Sequence, residues 1–149
     1  MRPFVSAGAG FLLAVLWFDL MFDVQVLRQP PGELGEPVLA SIAAYYHRVT
    51  TSAAPMNRLV AAVMLATLAA IGAQIAAGDA PAWVGWLSLA LATVPIGVAG
   101  ARTVPSAVRL GSRADPPGPQ SELARAICRQ HLFCFASIAA LLVVQLAAG

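Results

Sequence analysis

The chain alternates long apolar segments with short polar ones. Four apolar stretches cover roughly residues 4–26, 56–77, 83–101 and 122–147. About 20 consecutive apolar residues are enough for a helix to cross the hydrocarbon core of a bilayer. The pattern therefore predicts an all-α fold in one integral membrane domain, 1–149, built as a bundle of four transmembrane helices.

The polar segment between the first two spans contains a further predicted helix. Residues 29–35 include two prolines and two glycines, which end the first span. Over residues 37–50, apolar side chains recur every three to four positions behind Pro37, a pattern typical of an amphipathic helix. This helix is too short to span, and we expect it to lie at the membrane interface, where Tyr45 and Tyr46 are favoured.

The polar segment between the last two spans, residues 102–121, contains charged residues and the run Pro116-Pro117-Gly118-Pro119. Because such runs interrupt helices, we expect an exposed and mobile loop here. Ser121 is then a plausible N-cap for the fourth span, which is expected to begin near Glu122.

Composition supports a membrane protein. Hydrophobic residues make up 59% of the chain and charged residues 11%, with a mean hydropathy of +0.76. Soluble domains are about 45–50% apolar and about 25% charged. The partner predicted by this composition is the lipid bilayer. The net charge of +2 is too small and scattered to indicate a nucleic-acid-binding surface.

The arginines predict the topology, because basic residues in short loops are retained on the cytoplasmic side. With four spans, Arg2 stands alone on one side of the membrane. The opposite side carries the other eight arginines: Arg28, Arg48, Arg58, Arg102, Arg109, Arg113, Arg125 and Arg129. Both long loops are therefore predicted to be cytoplasmic, with the N- and C-termini outside a plasma (inner) membrane.

Two carboxylates interrupt the first span. Asp19 and Asp23 lie one helical turn apart, and a charged side chain at membrane depth costs about 2.5–3.5 kcal/mol unless it is paired, protonated or solvated. In one interpretation Asp23 is hydrated near the interface, and Asp19 forms a salt bridge that fixes helix register, with Arg58, Arg102 or Arg129 as its partner. In the other, Asp19 exchanges a proton with His131, an acid–base residue suited to neutral pH.

The second interpretation defines a candidate site near the cytoplasmic face. Its catalytic candidates are Asp19 and His131. Its binding candidates Asp23, Asn57, Arg58, Arg102 and Arg129 are brought to the same layer by the topology. Tyr46 and His47, with Tyr45, are candidates to cap the cavity from the interfacial helix and contact an aromatic ligand, although an interfacial tyrosine pair is the commoner arrangement.

Motifs for cofactor or metal chemistry are weak. Cys128, His131 and Cys134 recur every three positions, but successive steps drift by about 60° around a helix. A tetrahedral site would need ligands from a second helix, for which Asp19, Asp23 and His47 are candidates. We assign no metal and leave the cofactor unknown. Gly-rich phosphate loops, nucleophile elbows and HExxH motifs are absent from the sequence, which argues against nucleotide hydrolysis, serine hydrolysis and zinc proteolysis.

The overall plan resembles the anthrone-oxygenase-like family of small four-helix membrane proteins. The resemblance rests on four spans, a long first loop with an amphipathic helix, and the segment Arg102-Thr103-Val104-Pro105 after the third span. That family tends to carry Asn-Val-Pro there, so this chain departs from the pattern at its polar positions. The resemblance implies oxidation of a hydrophobic aromatic substrate, and we transfer no catalytic residue from it.

Three functions are consistent with these features. The first is binding or oxidation of a small lipophilic or aromatic molecule at the polar site, which leaves open whether the protein is an enzyme. The second is an accessory subunit that docks on itself or on another membrane protein through small-residue faces, such as Ala62, Ala66 and Ala70. The third is a proton-coupled transporter, for which four spans would have to oligomerise.

Overall fold

A computed structural model describes residues 1–148, and every regular element in this range is helical. Helix α1 spans Arg2–Asp23 and continues as a 3₁₀ turn over Val24–Arg28. Helices α2 and α3 span Glu36–Thr51 and Ala54–Ala77. The remaining elements are α4 (Ala82–Val98), a π-helical turn (Ala99–Thr103), α5 (Val104–Ser112) and α6 (Pro117–Ala147).

Four helical segments are long and apolar enough to cross a membrane: Arg2–Arg28, Ala54–Ala77, Ala82–Ser112 and Pro117–Ala147. The short helix α2 lies between the first two. The predicted all-α fold with four membrane-length helices is therefore confirmed, and the protein is a multi-pass membrane protein. Large apolar side chains face outward, as Trp17, Phe18 and Leu65 do with 60%, 61% and 68% exposure, which suits contact with lipid rather than water.

The buried apolar residues form two separate cores. The bundle core joins the long helices and consists of Val5, Ala9, Leu12, Ile71, Ala92, Ile138 and Leu141. The cap core joins α2, α5 and the start of α6, and includes Val26, Leu39, Ile42, Tyr46, Ala107, Leu110 and Ile127. The cap core closes one end of the bundle, which we call the cap end.

The expectation of an exposed loop over residues 102–121 was wrong. Most of this segment is helical, and Leu110 of α5 is fully buried against α2. Helix α6 begins at Pro117, within the proline run. Proline is well tolerated in the first turn of a helix, where its missing N–H would have no partner, so this run starts a helix instead of stopping one.

The first loop is held on α6 by hydrogen bonds. The backbone N–H of Leu34 donates to Ser121 Oγ at 2.9 Å. The Arg125 guanidinium donates to the backbone carbonyls of Val26, Pro30 and Gly32 at 3.2, 2.6 and 3.3 Å. These bonds fix the loop over the start of α6.

An ion pair marks the opposite end of the bundle. The N-terminal ammonium of Met1 lies 3.2 Å from the Asp79 carboxylate, in the turn between α3 and α4. The N-terminus and this turn therefore share one end, which we call the terminal end, as expected for two antiparallel helical hairpins.

Candidate functional site: a buried Asp–His–Tyr cluster

Five polar side chains meet between the two cores, near the cap end. They come from three helices: Asp19 and Asp23 from α1, Tyr45 and Tyr46 from α2, and His131 from α6. Along α1, the two aspartates follow Leu12 of the bundle core and precede Val26 of the cap core. The cluster is thus placed where the helical bundle passes into the cap.

Asp23 is the centre of the cluster. Its side chain is fully buried, its Oδ2 lies 2.6 Å from His131 Nδ1, and its Oδ1 accepts a 2.6 Å hydrogen bond from the Tyr46 hydroxyl. Hydrogen bonds to an ionised carboxylate are roughly twice as strong as neutral ones. Both oxygens of this buried group are therefore occupied.

This arrangement selects the tautomer of His131. An ionised carboxylate can only accept hydrogen bonds, so the short contact with Asp23 places a proton on Nδ1. In the neutral ring Nε2 is then unprotonated and can accept a proton, as in other sites where a carboxylate orients a histidine base. The Tyr46 hydroxyl lies 3.4 Å from the same Nδ1, which is secondary to its bond with Asp23.

Asp19 forms the accessible side of the cluster. Its Oδ1 accepts a 2.6 Å hydrogen bond from the Tyr45 hydroxyl, and its Oδ2 lies 3.9 Å from His131 Nε2. That distance exceeds a hydrogen bond, so the two atoms face each other without a direct bond. The Asp19 side chain is 18% exposed, whereas that of Asp23 is 0% exposed. The cluster therefore opens at Asp19.

Aromatic rings lie beside Asp19. Phe22 stacks on Tyr45, the tyrosine that is bonded to Asp19, with ring centroids 4.1 Å apart. Tyr45 and Tyr46 meet edge to face at 5.3 Å. Such ring pairs are favourable contacts, and they hold Tyr45 and Tyr46 against α1.

The two phenols are donors that resist ionisation. Burial, followed by the charges of Asp19 and Asp23, raises the pKa of Tyr45 and of Tyr46 above the ordinary 10.0. A pKa raised in the folded state contributes stability below the unfolded value, and this stability is lost as the pH rises above it.

We therefore expect the folded protein to show little phenolate absorption at pH values just above 10.0, the ordinary tyrosine pKa. The sequence has only two tyrosines, so an ultraviolet pH titration reports on this site alone. The same sample unfolded in denaturant is the control and should ionise normally. Equal titration curves for the folded and unfolded protein would contradict the hydrogen bonds to the aspartates.

The structure brings together four of the predicted site residues: Asp19, Asp23, Tyr46 and His131. The expected hydration of Asp23 was wrong, because this residue is fully buried. The expected arginine partner of Asp19 was also wrong, since His131 is the basic side chain facing it.

The other predicted binding residues lie on exposed surfaces outside the cluster: His47, Asn57, Arg58, Arg102 and Arg129. Asn57 instead joins two helices, because its side-chain amide donates to the backbone carbonyl of Val49 at 2.6 Å. Tyr45 was expected at the interface or as a cap over the cavity, and its direct bond to Asp19 was not predicted. The signal for it was the pairing of two adjacent tyrosines with two aspartates one turn apart.

Cys128 and Cys134 are buried free thiols. The Cys134 thiol contacts the backbone carbonyl of Pro95 at 3.7 Å. Within residues 1–148, His, Cys, Asp and Glu side chains form no group of three positioned to hold a metal ion.

A second polar cluster lies among the membrane spans. The Gln145 side-chain amide of α6 donates to Ser88 Oγ of α4 at 2.7 Å and to Gln74 Oε1 of α3 at 3.2 Å. Apolar Ile138 and Leu141 of α6 lie between this cluster and His131. Hydrogen bonds between membrane helices stabilise their packing by about 0.6–2 kcal/mol, so this cluster serves to align three helices.

Comparison with known proteins gave no match to a family model, a curated protein or a solved structure. The small four-span architecture is shown by the helices themselves. Membership of the anthrone-oxygenase-like family is not identified by these comparisons.

Proposed function

We propose that this protein binds the polar group of a small lipophilic molecule between Asp19 and His131 and exchanges a proton with it. The observation that carries the proposal is the pair of facing atoms at the opening of the cluster, Asp19 Oδ2 and His131 Nε2, 3.9 Å apart. Neither atom has a closer hydrogen-bond partner among the described residues, while the remaining polar atoms of the cluster are bonded to one another.

The proposed chemistry is a proton transfer. A phenolic or enolic hydroxyl that approaches His131 Nε2 passes its proton to that nitrogen, which leaves an oxyanion on the ligand and an imidazolium on the protein. Asp23 stabilises the imidazolium through Nδ1, and Tyr46 holds Asp23 in place. Protonated Asp19 donates a hydrogen bond to the same ligand oxygen. Transfer of this proton to the oxyanion restores the ligand hydroxyl and leaves a carboxylate on Asp19 and the imidazolium on His131.

The surroundings favour a lipophilic ligand. Trp17 and Phe18 precede Asp19 and are 60% and 61% exposed, so the opening lies on a helix whose neighbouring side chains face lipid. Oxidation of an aromatic substrate, which the family resemblance implies, also requires an oxidant. The Asp–His–Tyr cluster supplies only the proton-transfer part of such a reaction.

We also propose that the cap end, where eight arginines are located, faces the cytoplasm.

The test uses 2-naphthol, a small hydrophobic aromatic alcohol, as the probe. Quenching of tryptophan fluorescence measures its binding to the detergent-purified protein carrying Trp83→Phe and Trp86→Phe, in which Trp17 is the remaining tryptophan. Because a hydrogen bond to a charged group contributes about 1.5–3 kcal/mol, Asp19→Asn should weaken binding about tenfold or more. The matched control is Arg58→Gln, which changes an exposed charge outside the cluster.

Equal binding by Asp19→Asn and the control would contradict the proposal. Infrared spectroscopy of the protonated-carboxyl band provides an independent readout of proton exchange. Addition of 2-naphthol should change this band in the parent protein but leave it unchanged in Asp19→Asn.

An accessory subunit is the second candidate. Ala62 and Ala66 lie four residues apart on one face of α3, and both are exposed. Small residues on an open face permit close approach of another membrane helix. A folded protein that fails to bind 2-naphthol and co-purifies with a defined membrane partner would favour this candidate.

A further inference from the structure

A groove lined by arginines lies at the cap end, separate from the Asp–His–Tyr cluster. It has a volume of about 500 Å³ and runs between α5 and the first turns of α6. The basic residues of the groove are Arg109, Arg125 and Arg129, and its acidic residue is Glu122. Leu123 and Ala126 form its apolar wall. We propose that this groove binds the phosphate of an anionic phospholipid.

The charges in the groove are only partly neutralised. Arg109 makes two hydrogen bonds to Asp115, at 2.7 and 2.8 Å, which hold the pKa of that carboxyl below its usual value. Arg125 donates to neutral backbone carbonyls, which leave its charge uncompensated. Among the residues that the structure describes, neither Arg125 nor Arg129 forms a salt bridge.

The spacing of these arginines suits an anion. Arg125 and Arg129 are four residues apart on α6, so they lie on the same face and repel each other unless an anion binds between them. Arg125 Nε is also buried without a hydrogen-bond partner. The guanidinium group is the preferred side chain for phosphate oxygens, because it can donate two parallel hydrogen bonds.

The position of the groove favours a lipid over a free anion. Leu132 and Phe133 follow Arg129 by three and four residues and are 41% and 46% exposed. They therefore continue the same face of α6 from the arginines into its apolar part, where an acyl chain can lie along them. Glu33 lines an adjoining groove that shares Arg125 and Glu122 with this one, so the phosphate is expected on the Arg129 side, away from both carboxylates.

The experiment is native mass spectrometry of the full-length protein after incubation with equal amounts of phosphatidylglycerol and phosphatidylcholine. We expect preferential retention of phosphatidylglycerol. A hydrogen bond to a charged group contributes about 1.5–3 kcal/mol, so loss of the Arg129 bond to the phosphate in Arg129→Gln should reduce the preference about tenfold or more. Arg129 is suited to this test because it is exposed and its side chain forms no salt bridge within the described residues.

Arg125→Gln should reduce the preference as well, but it also removes bonds to the first loop, so Arg129→Gln is the decisive variant. Arg58→Gln is the matched control and should retain the wild-type preference. Equal retention of both lipids by the wild-type protein, or equal losses in Arg129→Gln and Arg58→Gln, would overturn the proposal. Displacement of the lipid by inorganic phosphate alone would also overturn it, because the site would then be one for a free anion.

Discussion

Replacement of His131 by leucine is expected to destabilise the protein by about 3–5 kcal/mol, because it leaves the Asp23 carboxylate without its basic partner. Asp23 is fully buried, so water cannot replace the lost contact. Thermal unfolding in detergent can be followed by the maleimide reactivity of Cys128 and Cys134, which are buried in the folded protein. The variant should become reactive at a clearly lower temperature than the wild-type protein.

A triple variant separates the ion pair from simple loss of packing. Asp23→Leu, Tyr46→Phe and His131→Leu together remove the carboxylate and both of its partners, so no buried polar group is left alone. Replacement of a buried ion pair by apolar residues of similar volume is often neutral or stabilising, and we expect the triple variant to recover most of the loss. A triple variant less stable than His131→Leu would show that the loss comes from packing and not from the unpaired Asp23 carboxylate.

Substitution of Gly111 by alanine is the second large effect that we expect. Gly111 lies on α5 against the backbone of α2, and a Cβ at this position would come within 2.7 Å of the His47 backbone nitrogen and 3.1 Å of the Tyr46 carbonyl carbon. Backbone atoms cannot rotate away, so the two helices must separate. Overpacking of this kind costs about 1–3 kcal/mol.

The matched control is Gly72→Ala, on the open face of α3, where an added Cβ meets nothing within 4 Å. Alanine is favoured over glycine in a helix by about 0.5–1 kcal/mol, so this control should be as stable as wild type or slightly more stable. Gly111→Ala should also lower the pH at which tyrosine ionises, because displacement of α2 weakens the bond from Tyr46 to Asp23. Indistinguishable stabilities for the two variants would show that α2 and α5 tolerate separation.

The four spans could be predicted from the sequence because the length of an apolar segment is itself the physical requirement for crossing a bilayer. Helix α5 could not. It lies in a segment whose prolines and charges are typical of loops, and its buried face, formed by Ala107, Leu110 and Gly111, has only three small or medium residues. This face is stabilised by α2, so the helix depends on a tertiary contact that local sequence does not record.

The level of the site along the bundle could be predicted from the sequence, but the side of each helix that faces the site could not. Helix directions place Asp19 and His131 in the same layer, and they do face each other at 3.9 Å. They place Arg129 in that layer as well. Arg129 lies two residues before His131, however, which turns it roughly 200° around α6 and away from the aspartates. The rotation of each helix about its own axis comes from packing, and one sequence gives little information on it.

The contact between Asp23 and His131 joins residues 108 positions apart, on the first and last helices of the chain. Synthesis proceeds from the N-terminus, so α1 emerges well before its partner exists. Helix α1 therefore enters the membrane before His131 is available to pair with Asp19 and Asp23. Protonation of these carboxyls, or a delay in lateral release until α6 is made, lowers the cost of insertion. The order of synthesis therefore affects the cost of placing the site in the membrane. A chain truncated before α6 should insert α1 into the membrane less completely than the whole chain.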